Sequence, residues 1–478
     1  MAISSSKVLK SFIWKFLEKC SVQLTTFIVT IVLARILSPD EFGIIAIIII
    51  FVNLANVIVE GGLTAALIQK KEADNIDFST IFTCSLGLSV LLYVVLFISA
   101  PYISDFYNDN KLIEVIRILS LIVIPCSINS IQKAYVSRNL LFGRMFICSL
   151  ISVLISGVIG VLMAYGGFGI WALVAQTILN QILVTILMFI FIKWRPKFLF
   201  CKERFGSLFD FGWKIFLSNF IIAIYEDIRG LLIGKIYNPS ALAFFDRGKQ
   251  FPSLIMGNIN TSIQTVLFPT FAAEQDNTAK VKKMMRSATQ VSCFVVFPLL
   301  LYLFISAEPL VKVLLTDKWL PSVPFIRIFA IAFILMPIQS SNMIAIKSLG
   351  YSNITLNLEI IKKIIEAIIL IVSFQYSVYI VASGVLLYNF ICLFINLYPN
   401  KRLLDYSVKE QIFDVLPIFI ISITASFLSY WLLYLSIPLI VILFLQAIVG
   451  LMIYITLSYY FKVEAFIIIC QTIQGLKK

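Results

Sequence analysis

About fourteen apolar runs, each long enough to cross a bilayer as a helix, follow one another along the chain with only short polar gaps. Lipid offers no hydrogen bonds, so a spanning backbone must satisfy its own polar groups, and runs of about 20 residues do so as α-helices. The runs fall near 12–37, 42–68, 78–100, 112–134, 144–165, 168–192, 208–236, 240–270, 284–306, 322–349, 351–374, 377–398, 411–435 and 437–461. The expected fold class is all-α, a polytopic membrane protein. Composition agrees: 60% of the 478 residues are apolar and 13% charged, far outside the soluble range.

The net charge of +13 is explained by topology, because Lys and Arg collect in the gaps between runs. Alternate gaps on one side hold about 23 of them, including Lys7, Lys10, Lys70, Lys71, Arg138, Lys193, Arg204, Lys347, Arg402, Lys477 and Lys478, against about 5 on the other. Both termini are therefore expected in the cytoplasm, with membrane lipids and not nucleic acid as surroundings. The first run lacks a small-residue cleavage site and reads as a retained helix. Eight cysteines show no metal-ligand spacing, and histidine is absent, which removes a histidine relay or Ser-His-Asp site. There is no G-x-x-x-x-G-K-[ST] loop. The longest outer connection, around Ile305–Val323, is too short for a catalytic domain, so no enzyme, metal or cofactor is expected.

The chain repeats itself. Trp14-Lys15 and Trp213-Lys214 open corresponding helices, and Arg35-Ile36-Leu37-Ser38-Pro39 matches Lys235-Ile236-Tyr237-Asn238-Pro239. Ile116-Arg117-Ile118 aligns with Ile326-Arg327-Ile328, and Ile170 with Ile380. Six helices separate the copies, and an even number means parallel repeats, as in rocking transporters. The expected organisation is an N-terminal six-helix bundle over 1–192, a basic linker over 193–207, a second six-helix bundle over 208–398, and two additional helices over 399–478.

Each charge within a span needs a partner, a hydrated cavity or an escape to the interface. Arg117 and Arg327 either snorkel to the headgroups or share a role inherited through the repeat. Lys15 and Lys19 form a cationic face beside Glu18, either facing phosphate or ending an interfacial helix. Glu226, Asp227 and Arg229 on the seventh run, with Asp246, Arg247 and Lys249 on the eighth, read as a paired cluster, strut or site. Glu359, Lys362, Lys363 and Glu366 lie on one stripe of the eleventh run, which packs as an ion-pair ladder or lines a cavity. Burial cost alone nominates Lys19, Arg117, Arg229, Arg247, Arg327 and Lys363 as ligands of an anionic substrate. Glu18, Glu60, Glu226 and Asp227 are nominated for a coupling H+ or Na+.

Several segments resemble the polysaccharide-transporter branch of the multidrug/oligosaccharidyl-lipid/polysaccharide exporter superfamily, the Wzx-type flippases. They are Arg35 through Gly43, Glu60-Gly61-Gly62-Leu63 with Ala66-Leu67-Ile68-Gln69, Arg138-Asn139-Leu140-Leu141-Phe142, Gly167 through Val174, and Phe244 through Gln250. The resemblance implies two six-helix bundles plus two helices in a bacterial inner membrane, around a cationic cavity that alternates between faces. It implies a flippase moving an undecaprenyl-diphosphate-linked oligosaccharide of O antigen, capsule or exopolysaccharide, coupled to an ion gradient and working beside other polysaccharide-assembly proteins. The competing readings are a peptidoglycan-precursor flippase, a drug/cation antiporter and, from another class, a membrane glycan polymerase or ligase.

Overall fold

The computed structural model describes residues 5–70, 73–192 and 194–476. Lys71, Lys193, Lys477 and Lys478, and the side chains of Lys7 and Lys10, lie outside the described residues. Among the described residues every regular element is helical. Twelve helical stretches are long and apolar enough to span a membrane. Two more have the length of a span: Pro239–Ala273 and the charge-striped Ser352–Ser373. The chain divides into two compact units, Met1–Ala243 and Phe244–Lys478.

The first unit contains α1 (Ser5–Ile36), α2 (Pro39–Glu60), the short α3 (Leu63–Gln69) and α4 (Asn75–Tyr107). It continues with α5 (Lys111–Leu119), which runs through a 3-10 turn into α6 (Val123–Asn139), then α7 (Phe142–Tyr165), α8 (Ile170–Phe191) and α9 (Lys202–Ile236). The Ser-Pro-Asp-Glu turn begins α2 for a plain reason. Pro39 occupies the first turn, where its missing N–H costs nothing, and Ser38 with Glu41 forms a capping box. Asp74 caps α4 the same way, and the Asp77 backbone N–H, Arg204 and the Ile76 N–H hold its carboxyl below the usual range. The fully buried Asp77 accepts from Lys70 Nζ at 2.7 Å and has Arg204 Nη1 at 3.8 Å, tying α3, α4 and α9 together. Arg138 donates to the Leu67 carbonyl at 3.1 Å, a cation closing a helix C-terminus.

Close backbone contacts explain two glycines. A Cβ on Gly43 would lie 1.9 Å from the Pro239 carbonyl oxygen. Gly62 has φ +68, and its Cβ would lie 2.1 Å from the Gly212 carbonyl oxygen. Through such contacts α9, which the repeat assigns to the second bundle, packs on α2, α3 and α4 within the first unit.

The second unit takes most of α10 (Pro239–Ala273), then α11 (Thr278–Leu314), α12 (Val323–Ile334), α13 (Met336–Ser348), α14 (Ser352–Ser373) and α15 (Val378–Leu397). It ends with α16 (Asn400–Leu403), α17 (Val408–Tyr430), α18 (Leu439–Tyr460) and α19 (Glu464–Leu476). The stretch read as an outer loop around Ile305–Val323 is mostly helical, because α11 continues to Leu314 and a 3-10 turn holds Asp317–Ser322. An aromatic core fixes α10 on α12: the Phe245 ring lies 5.8 Å from Phe325 and 5.1 Å from Phe329. The last helices α17, α18 and α19 all pack on α11. Large apolar side chains such as Phe444, Ile448 and Leu451 face outward, as expected where the surrounding solvent is lipid.

Candidate functional site

A polar cavity of the second unit is assembled from four helices. On α13, Gln339 donates through Nε2 to the Asn389 carbonyl of α15 at 2.9 Å, and its Oε1 receives Asn396 Nδ2 at 3.5 Å. On α14, Lys362 donates to Glu359 at 2.7 Å, and the lysine is only 7% exposed. Gln264 and Phe268 arrive from α10, and Lys347 from the last turn of α13. These residues line a cavity of about 500 Å³. Its charges are two ammonium groups against one carboxylate, so it favours an anion over a cation.

The first unit carries a related arrangement. Asn129 of α6 donates to Gln181 Oε1 of α8 at 3.1 Å and accepts from Thr185 Oγ1 at 2.9 Å, an amide-to-amide contact like that of Asn396 and Gln339. Beside it Gln132 is fully buried, and neither of its amide atoms has a hydrogen-bond partner among the described residues. Glu60 is exposed at the end of α2, with Lys133 of α6 as its neighbouring cation.

The residues nominated from sequence are dispersed. Glu18 is buried and already engaged, receiving Lys15 Nζ at 2.6 Å and Ser149 Oγ at 3.4 Å, while Lys19 is exposed on the same helix. On α9, Glu226 is exposed, and Asp227 and Arg229 are half-buried. Arg247 donates to Gln250 at 2.5 Å and lies over the Trp319 ring at 5.6 Å. Lys363 pairs with Glu366 at 2.9 Å, so the α14 stripe is an ion-pair ladder along which Glu359 and Lys362 also line the cavity. None of the six nominated cations belongs to the cavity lining. Lys347, Gln264, Gln339 and Asn396, which charge-based reading passed over, do.

Arg117 and Arg327 make the same contact in each unit. Arg117 of α5 lies 4.5 Å over the Phe97 ring of α4, and Arg327 of α12 lies 5.9 Å over the Phe304 ring of α11. In both, Nε is buried without a hydrogen-bond partner among the described residues. A cation over an aromatic face contributes about 0.5–1 kcal/mol at exposed sites and more when desolvated. Arg117→Met and Phe97→Leu are each expected to lower stability by about 1 kcal/mol, and the double variant by little more than either. Thermal melts of the purified chain test this; fully additive losses would show that the pair is not a unit.

Comparison with known proteins gives this geometry its context. The model of the family described as "Polysaccharide biosynthesis protein" matches residues 32–324. The chain is 25% identical over 69% of its length to the succinoglycan biosynthesis transport protein ExoT of Rhizobium meliloti (strain 1021), covering 67% of that protein. It is 26% identical over 60% of its length to the teichuronic acid biosynthesis protein TuaB of Bacillus subtilis (strain 168), covering 60% of it. It is 24% identical over 64% of its length to the lipopolysaccharide biosynthesis protein WzxC of Escherichia coli (strain K12), covering 62% of it. The fold is that of the lipid II flippase MurJ in its inward closed conformation, at TM-score 0.75 and 16% identity over 94% of this chain and 98% of that one. An inward-facing multidrug resistance MATE transporter of the MOP superfamily follows at TM-score 0.61 and 13% identity, over 81% of this chain and 98% of that one. With the family model matching more than half of its length, the chain belongs to the polysaccharide biosynthesis protein family.

Proposed function

We propose that the chain is a flippase that carries a lipid-linked oligosaccharide from the cytoplasmic to the outer leaflet of a bacterial inner membrane. The observation that carries this reading is a cavity of about 500 Å³ inside a bundle of spanning helices, lined by two lysines, one carboxylate and several amides. Such a lining offers hydrogen-bond and charge partners to an anionic, hydroxyl-rich glycan that must leave water. A transporter of cationic drugs wants the opposite charge balance. Both termini face the cytoplasm in this reading. The acids nominated for a coupling H+ or Na+ are Glu18, Glu60, Glu226 and Asp227, of which Glu18 is held by Lys15 and Ser149.

Depletion of the protein tests the reading. Spheroplasts lacking it are expected to hold the lipid-linked glycan in the inner leaflet, protected from a membrane-impermeant oxidant of sugar diols, whereas cells containing it expose the glycan. Equal oxidation with and without the protein removes the flippase reading.

A further inference from the structure

We infer that the cavity of the second unit is a saccharide subsite for a carboxylate-bearing sugar residue of the transported glycan. That the cargo is a glycan rests on the function proposed above; the subsite itself can be measured without any flipping.

The fold leaves several polar groups of this cavity without partners among the described residues. Asn396 is 2% exposed, lines the cavity, and its Oδ1 has no hydrogen-bond partner among the described residues. The orientation of that amide is dictated by its neighbours. A backbone carbonyl only accepts, so Gln339 turns its NH2 to the Asn389 carbonyl, its Oε1 then meets Asn396 Nδ2, and Asn396 Oδ1 is left over. A buried acceptor without a donor costs about 1–3 kcal/mol. An ionised diphosphate offers only acceptors and leaves Oδ1 empty, whereas a sugar hydroxyl donates to it. Gln264 and Ser340 also line the cavity, and neither side chain makes a hydrogen bond among the described residues. Both suit hydroxyl groups, which donate and accept at once.

Charge and shape complete the specification. Lys362 is matched by Glu359, while Lys347 is exposed in the cavity lining and its ammonium has no ion pair or hydrogen bond among the described residues. One uncompensated ammonium suits a single carboxylate. A diphosphate calls for several cations or a bidentate guanidinium, and no arginine lines this cavity. The Phe268 ring, 47% exposed, gives an apolar wall for the C–H face of a pyranose. The volume of about 500 Å³ lies in the ordinary range of small-ligand pockets, about 300–1,000 Å³.

Saturation-transfer NMR on the purified full-length chain tests the subsite with three soluble probes: methyl β-D-glucuronide, methyl β-D-glucoside and inorganic pyrophosphate. Saturable glucuronide binding is expected, with the glucoside about tenfold weaker and pyrophosphate unable to displace either. Lys347→Met should erase the preference for the acid while keeping neutral-sugar binding, which also shows that the variant is folded. Asn396→Leu should weaken both sugars alike. Displacement of the glucuronide by pyrophosphate, equal affinity for the two sugars in the unaltered chain, or no saturable glucuronide binding overturns the subsite. Normal probe binding in a chain that fails the leaflet test removes the flippase reading and leaves the subsite standing.

Discussion

Gly248→Leu is expected to abolish accumulation of the protein in the membrane, and Gly248→Ala to destabilise it by about 3 kcal/mol, at the upper end for overpacking. A Cβ at this position of α10 would meet Phe325 Cβ at 2.2 Å, the Phe325 carbonyl carbon at 3.0 Å and the Ile326 nitrogen at 3.1 Å. Such atoms have no free rotation by which to withdraw. Phe325 is 1% exposed, and its ring is stacked on Tyr379 at 4.9 Å while Phe245 closes its other approach at 5.8 Å. Relief therefore requires α10 and α12 to separate, which uncouples the aromatic core of the second unit. The contrast lies further along the same helix, where a Cβ on Gly257 meets nothing within 4 Å. Gly257→Ala removes a residue of low helix propensity and should be neutral or stabilising by up to about 1 kcal/mol. Abundance and melting temperature of the two alanine variants, measured side by side, decide the matter. Indistinguishable values would mean that the α10–α12 contact yields more easily than its geometry indicates.

The element pattern was open to reading because the membrane enforces it. Apolar length marks the spans, and the Ser38-Pro39 turn with its Glu41 partner announces a helix start in the residues themselves. The internal repeat was equally readable, and the matched stacking of Arg117 on Phe97 and Arg327 on Phe304 gives it a physical content. The cavity was harder to foresee, for reasons that Lys347 and Asn396 illustrate. Lys347 stands in the last turn of α13, where a cation is well explained by topology and by the helix dipole, so its place in a cavity lining has no separate signal. Asn396 and Gln339 are uncharged and cost little in a hydropathy count, and packing alone brings them beside Gln264 and Lys362. Burial cost is a sound guide to which charges need company and a poor one to what the company is. It nominated Glu18, which Lys15 and Ser149 hold, and Lys363, which pairs along its own helix with Glu366.

Within the cavity, the Lys362–Glu359 pair yields an asymmetric expectation. The lysine side chain is 9% exposed and the glutamate 45%, so the two partners lose different amounts when separated. Glu359→Gln strands an ammonium that has almost no water, whereas Lys362→Met leaves a carboxylate that already reaches the cavity. Breaking a fully buried pair costs about 3–5 kcal/mol, and the exposure of Glu359 discounts that figure. Glu359→Gln is thus expected to lower stability by about 2 kcal/mol, Lys362→Met by less, and the double variant should recover most of the loss. Ligand binding should move the other way. Removing the carboxylate raises the net positive charge of the cavity and frees Lys362 for an anion, so Glu359→Gln should bind methyl β-D-glucuronide severalfold more tightly while melting at a lower temperature. Generic damage to the fold lowers both quantities together. A variant that loses stability and affinity in step would show that Glu359 supports the cavity wall and leaves its electrostatics unchanged.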